Sequence, residues 1–153
     1  GAVEKAKEAI RRGLPIITDT TMAASGINKT AAGKFGIEVH CFIGDEDVKA
    51  KAKESGMTRS AVSVEKAAGC YPECIYAVGN APTALMRLYE LIEEKKIRPA
   101  LIIGVPVGFV NVVEAKELVL RTDVPAIVAR GRKGGSNIAA AICNALLYEA
   151  GGR

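Results

Sequence analysis

Three glycine-rich loops hold most of the residues whose types and spacing suit ligand chemistry. They are Gly79-Asn80-Ala81-Pro82-Thr83, Gly104-Val105-Pro106-Val107-Gly108-Phe109 and Arg130-Gly131-Arg132-Lys133-Gly134-Gly135-Ser136. Glycine removes the side chain where a ligand would press against backbone, and a helix start offers unpaired N–H groups to an anion. Arg130, Arg132 and Lys133 add positive charge beside the third loop, so a phosphate or carboxylate is the indicated ligand. The same glycines would also serve as tight strand-to-helix turns, and it is the recurrence of the pattern that favours a binding edge.

Other reactive side chains are few. Asp19 follows a short apolar run, where it either caps the next helix or faces a ligand. His40 is the only histidine and falls near the end of a strand, with no serine or cysteine nucleophile motif to partner it. A hydrogen-bonded structural histidine is the favoured reading, which leaves His40 a weak catalytic candidate. Arg59 sits in the first turn of a helix, against the helix dipole, which hints at an outside partner. Of the four cysteines, Cys41, Cys70, Cys74 and Cys143, only Cys70 and Cys74 are close in number. Zinc sites usually bring ligands in paired clusters, so buried free thiols in a reducing cytosol are expected, with no metal.

The familiar cofactor fingerprints are missing. No Gly-x-Gly-x-x-Gly follows the first strand, and no Gly-Lys-Ser/Thr marks a Walker loop. That removes nicotinamide and ATP by these routes and leaves a large, multiply anionic ligand.

The elements that must position these residues follow from period and punctuation. Residues 2–12 read as an amphipathic helix stopped by Gly13, and 14–19 as a strand with a short helix over 22–25 behind it. Residues 26–29 read as the turn that closes this helix. A strand over 37–42 comes next, then helices over 45–54, ended by Gly56, and from 58 to about 69. Strands over 74–78, 100–103 and 126–129 each run into a glycine loop. Helices follow, with Pro82 at the start of the first and Ser136 capping the last, over 137–148. Leu85, Leu88, Leu91 and Ile92 form a buried stripe, and the strand over 100–103 is apolar on both faces and therefore central. Strand, turn and helix recur at about 25 residues, the period of a βα unit. Right-handed crossovers then bring the three loops to the carboxyl edge of one sheet, where ligands of open α/β sheets bind.

Composition agrees. The chain has 153 residues, 49% hydrophobic and only 5% aromatic, so its core must be aliphatic, which suits a parallel sheet covered on both faces. No apolar run reaches the length of a membrane span, and no secretory signal is visible. A net charge of +4 is mild, without a nucleic-acid stripe, yet focused in a cleft it would favour a polyanionic small molecule. These features predict one cytoplasmic α/β domain over 1–153 that binds neither nucleic acid nor membrane.

The motifs, taken in order, resemble one family. Asp19-Thr20-Thr21-Met22 with Gly26-Ile27, Glu38-Val39-His40-Cys41, Thr58-Arg59-Ser60-Ala61, Gly79-Asn80-Ala81-Pro82-Thr83-Ala84-Leu85, Gly104-Val105-Pro106-Val107-Gly108-Phe109-Val110, Glu114-Ala115-Lys116 and the loop from Arg130 to Ser136 together resemble the precorrin-8X (cobalt-precorrin-8) methylmutases of cobalamin biosynthesis. The likeness spans essentially the whole chain. It implies a Rossmann-like, doubly wound α/β fold with a mainly parallel five-stranded sheet and helices on both faces. It also implies a homodimer with the corrinoid at the subunit interface, and no redox cofactor.

The implied reaction is a methyl migration between adjacent ring carbons of a tetrapyrrole with many carboxylate arms, giving hydrogenobyrinate or its cobalt form. Protonation of the macrocycle would drive it by general acid catalysis, helped by rigid enclosure. Arg59 matches a family arginine near the substrate. The substrate-binding set expected from loops and resemblance is Asp19, Arg59, Gly79, Asn80, Pro82, Thr83, Gly104, Val105, Pro106, Gly108, Arg130, Arg132, Gly134 and Ser136. The family's catalytic histidine belongs to a segment preceding the first helix and has no counterpart here, so the catalytic residue is unassigned and the chain alone is expected to be inactive. The chain also begins at Gly1 without methionine, as a piece of something longer would. Two other readings stand beside this one: a non-catalytic corrinoid-binding relative, and an enzyme acting on a sugar phosphate or nucleotide at the same glycine edge.

Overall fold

Five short strands form one sheet in the computed structural model, which describes residues 1–108 and 110–151. They are β1 (Ile16–Thr18), β2 (Val39–Cys41), β3 (Ile75–Val78), β4 (Leu101–Gly104) and β5 (Ala126–Val128), in the order β2-β1-β3-β4-β5. Every pair is parallel, with Thr18 beside Ala77 and Val78 beside Gly104. The helices between them are α1 (Ala2–Arg11), α2 (Thr21–Gly26), α3 (Lys29–Gly33), α4 (Glu46–Ser55), α5 (Arg59–Cys70), α6 (Pro82–Glu93), α7 (Val112–Leu120) and α8 (Ser136–Glu149).

Alternation along the strands divides the core into two layers. Ile16, Ile75, Ala77, Leu101 and Ile103 pack toward α1, α2, α3 and α8, while Ile17, Tyr76, Val78 and Ile102 pack toward α5, α6 and α7. A smaller cluster of Val48, Ala52 and Val62 joins α4 to α5. The doubly wound architecture with a parallel five-stranded sheet is therefore the one the βα period predicted. Strand order reverses between β1 and β3, which opens the carboxyl-end crevice there.

Several expectations change. β4 is an interior strand, as its apolar faces predicted, with β5 beyond it, while the middle position belongs to β3, which has two strands on each side. The expected turn over 26–29 leads into α3, where Asn28 accepts from the Ala31 N–H as its cap. Ser136 is the first residue of α8 and not its cap, a position held by Gly135 with φ +130°. Gly56 does end α4 in the left-handed conformation, as its placement predicted. The thiols differ in environment: Cys74 and Cys143 are buried and both pushed up to about 12 by burial, whereas Cys70 is exposed and Cys41 half-buried. Among the described residues no helix is long and apolar enough to cross a membrane, and no group of three or more His, Cys, Asp or Glu side chains is placed to hold a metal.

Candidate functional site

The loops after β1, β3, β4 and β5 meet around an open cleft of about 450 Å³ at the carboxyl edge of the sheet. Thr20 and Met22 line it from the first, Gly79 and Asn80 from the second, Val107 from the third, and Gly134, Gly135, Ser136 and Asn137 from the last. The three glycine loops therefore do converge as their connectivity predicted.

What the glycines accommodate differs from the expectation. A Cβ on Gly79 would lie 2.7 Å from Ser136 Cα and 2.9 Å from the Gly135 oxygen. A Cβ on Gly134 would overlap the Val105 carbonyl oxygen and lie 2.7 Å from that of Pro106. Both are closer than real contacts allow, so these two glycines, which also line the cleft, are needed for the approach of a neighbouring loop. The loops are stacked in the order β3, β5, β4, and the Gly135 N–H donates to the Val105 oxygen at 2.8 Å within that stack. Close approach of α2 to α8 has the same origin: a Cβ on Gly26 would sit 2.8 Å from Ala140 Cβ. That approach sets the Thr20 and Ser136 hydroxyls 2.7 Å apart at the cleft wall.

Asp19 takes neither of its expected roles. Thr20 caps α2 by accepting from the Ala23 N–H, while Asp19 is 5% exposed and turned inward. Its carboxylate accepts the N–H groups of Gly79 at 2.8 Å, Asn80 at 2.9 Å and Ala81 at 2.8 Å. The anion-binding nest formed by this loop is thus filled by the protein's own carboxylate. Burial pushes the Asp19 carboxyl above its ordinary range, against the downward pull of those three bonds.

Lys116, to which the sequence reading gave no role, is buried behind the last loop. It is 1% exposed, and its ammonium donates to the Gly131 oxygen at 2.9 Å and the Lys133 oxygen at 2.8 Å. Burial lowers its pKa. The available signal was its position: Val112, Ala115, Lys116 and Val119 form the buried stripe of α7, and a lysine on such a stripe needs a partner inside.

Of the other expected residues, Gly104, Val105 and Pro106 are buried beneath the cleft as backbone wall, and Gly108 is half-buried with φ +133°. Pro82 opens α6, and Thr83 accepts from the Thr58 hydroxyl at 3.1 Å, which ties the starts of α5 and α6 together. Arg59, exposed at the start of α5, lies outside the cleft lining, in a shallow concavity with Lys49, Lys53 and Met57. Arg130 and Arg132 are exposed on the last loop, also outside the lining. Phe109 lies outside the described residues. His40 is on the edge strand, stacked on Tyr71 with ring centroids 5.0 Å apart and hydrogen-bonded to Glu38 and the Tyr71 hydroxyl. It does not line the cleft.

Two features give the cleft its character. α8 is a 14-residue helix whose start has no side-chain cap, so its first N–H groups and the positive end of its dipole open at Ser136 and Asn137. Exposed apolar side chains share the lining with this polar point, namely Met22 and Val107. A ligand with an apolar body and anionic arms matches that arrangement. Among the described residues, none of the side chains lining the cleft is an acid, a base or a thiol.

Comparison with known proteins identifies a family. The family model for precorrin-8X methylmutase matches residues 1–149. A cobalt-precorrin-8 methylmutase of Salmonella typhimurium is 47% identical over 97% of this chain and 69% of its own length. One from Leptospira interrogans is 44% identical over 95% of this chain and 70% of its own. The crystal structure of the Thermus thermophilus precorrin-8x methyl mutase superposes with a TM-score of 0.88 at 40% identity, covering 98% of this chain and 73% of that one. The expectation that this chain alone is inactive finds no support in these matches. By sequence and by fold, the chain belongs to the precorrin-8X methylmutase family.

Proposed function

We propose that the chain acts as one corrinoid-binding domain of a methylmutase, an isomerase that moves a methyl group between adjacent ring carbons of precorrin-8X or its cobalt form. The observation that carries this reading is the cleft, where an uncapped helix start lies among exposed apolar side chains. A corrinoid precursor would lay its ring on Met22 and Val107 and direct a carboxylate arm to the start of α8. Migration requires an electron-poor ring framework, which protonation provides. The described lining residues, Thr20, Met22 and Val107 with the loop backbones, serve this reading by binding and orienting the ring. Four free thiols suit a cytoplasmic protein.

Mixing the full chain with the red product corrinoid is expected to give saturable binding seen in the visible spectrum. No spectral change and no binding would refute the reading. Non-catalytic corrinoid binding is the reading that the cleft by itself would equally serve. Turnover of the substrate by the full chain separates the two.

Arg59 serves this reading as an outlying carboxylate contact, since Lys49 and Lys53 share its concavity. Arg59→Ala should weaken product binding roughly two- to fivefold, the range for an exposed charge pair. The melting temperature should stay within a few degrees. Loss of fold and binding together would make the residue structural instead. The open cleft and its apolar rim also suit a homodimer in which a second copy roofs the ligand. Sedimentation that finds only monomer at micromolar concentration would contradict it.

A further inference from the structure

Among the described residues, the buried side chains include the polar Thr18, Asp19, Ser63 and Lys116. Two are ionisable, and neither has an ion-pair partner among the described residues. Burying a lone charge costs several kcal/mol unless dipoles replace the lost water. Here the main chain supplies them, to Asp19 from three N–H groups and to Lys116 from two carbonyls. In both cases the main chain is a loop that walls the cleft, one leading to α6 and the other to α8.

We infer that Asp19 and Lys116 are positioning residues for the methyl migration, each fastening one wall of the cleft from its buried side. This rests on the reading of the cleft as the corrinoid site. Neither residue lines the cleft, so each acts through its loop. By occupying the N–H groups of Gly79, Asn80 and Ala81, Asp19 withdraws them from the substrate and leaves the start of α8 as the point that attracts a carboxylate. Lys116 holds residues 131 and 133 so that Gly134 seats on the Val105 and Pro106 backbone and α8 begins opposite Thr20. A substrate arm bound at α8 is thus placed by a lysine it never touches.

The test uses Asp19→Asn and Lys116→Met in the full chain. Asparagine keeps the size of aspartate but turns an amide N–H against main-chain N–H groups. Methionine keeps the unbranched stem of lysine and removes the charge. Folding is followed by circular dichroism, product binding by visible titration, kcat and KM by turnover, and loop order by amide hydrogen exchange. Each variant is expected to fold and to lose kcat by about 10- to 100-fold, as displacement of a substrate by roughly 1 Å would. Exchange should quicken at 79–81 in Asp19→Asn alone and at 134–138 in Lys116→Met alone.

Folded variants with kcat, KM and product affinity within twofold of the parent would overturn the inference while leaving the cleft reading intact. A parent protein that binds no corrinoid would instead remove the cleft reading, and the inference with it. Where one variant fails to fold, the other decides. If both unfold, the two residues are structural and the inference falls.

Discussion

Gly134→Ala is expected to lower product-corrinoid binding by about tenfold and to reduce the melting temperature by about 5–10 °C. The cause is steric. An added Cβ would overlap the Val105 carbonyl oxygen and sit 2.7 Å from that of Pro106, and neither is a flexible side-chain tip that can rotate away. The β4 and β5 loops would have to separate, which breaks the bond from the Gly135 N–H to the Val105 oxygen and shifts the start of α8. Over-packing of this kind costs about 1–3 kcal/mol. Gly69→Ala is the matched control. Gly69 lies within α5 with nothing within 4 Å of its added Cβ, so alanine should stabilise by about 0.5–1 kcal/mol through helix propensity and leave binding unchanged. Thermal melts and visible titrations of the two variants check both halves. Equal behaviour of the pair would show that the loop stack does not position the ligand.

Leu85→Ala should have the opposite profile, a large loss of stability with binding retained. Leu85 is fully buried on α6, and its methyl groups would meet a Cβ added to Gly104 at 3.3 and 3.4 Å, so it fills the space beneath the end of β4. Truncating a leucine in such a position costs about 2–5 kcal/mol, from lost transfer energy and the cavity left behind. In a chain of this size that lowers the melting temperature by roughly 5–15 °C. Urea denaturation gives the free energy directly. At low temperature, where the variant remains folded, product affinity should stay within about threefold of the parent, because Leu85 lies outside the cleft lining and its loss leaves the loop stack in place. A loss of affinity matching that of Gly134→Ala would show that the core and the loop stack move as one.

The two cases mark where sequence reading stops. Gly134 and Gly131 look alike in the sequence, as glycines in one short loop. Gly131 has φ +80° and open space around it, whereas Gly134 is needed for a contact with backbone some 30 residues away. Asp19 is similar. Its position after an apolar run suggested a cap or a ligand contact, both local roles, while its actual partners lie 60–62 residues further along. Lys116 had a local signal, a charge on a buried stripe, but the stripe does not say which carbonyls receive it.

The sequence by itself determined the βα alternation, the parallel sheet and the gathering of three glycine loops at its carboxyl edge. Those follow from hydrophobic period, turn residues and the handedness of crossovers, all of which are local or nearly so. Tertiary structure alone decided the strand order, the stacking of one loop on another, and which anion-binding N–H groups stay open. Asp19 fills those before α6, and those at the start of α8 face the cleft uncapped. That choice depends on contacts between residues far apart in the chain, where no spacing rule applies and only packing selects the partner.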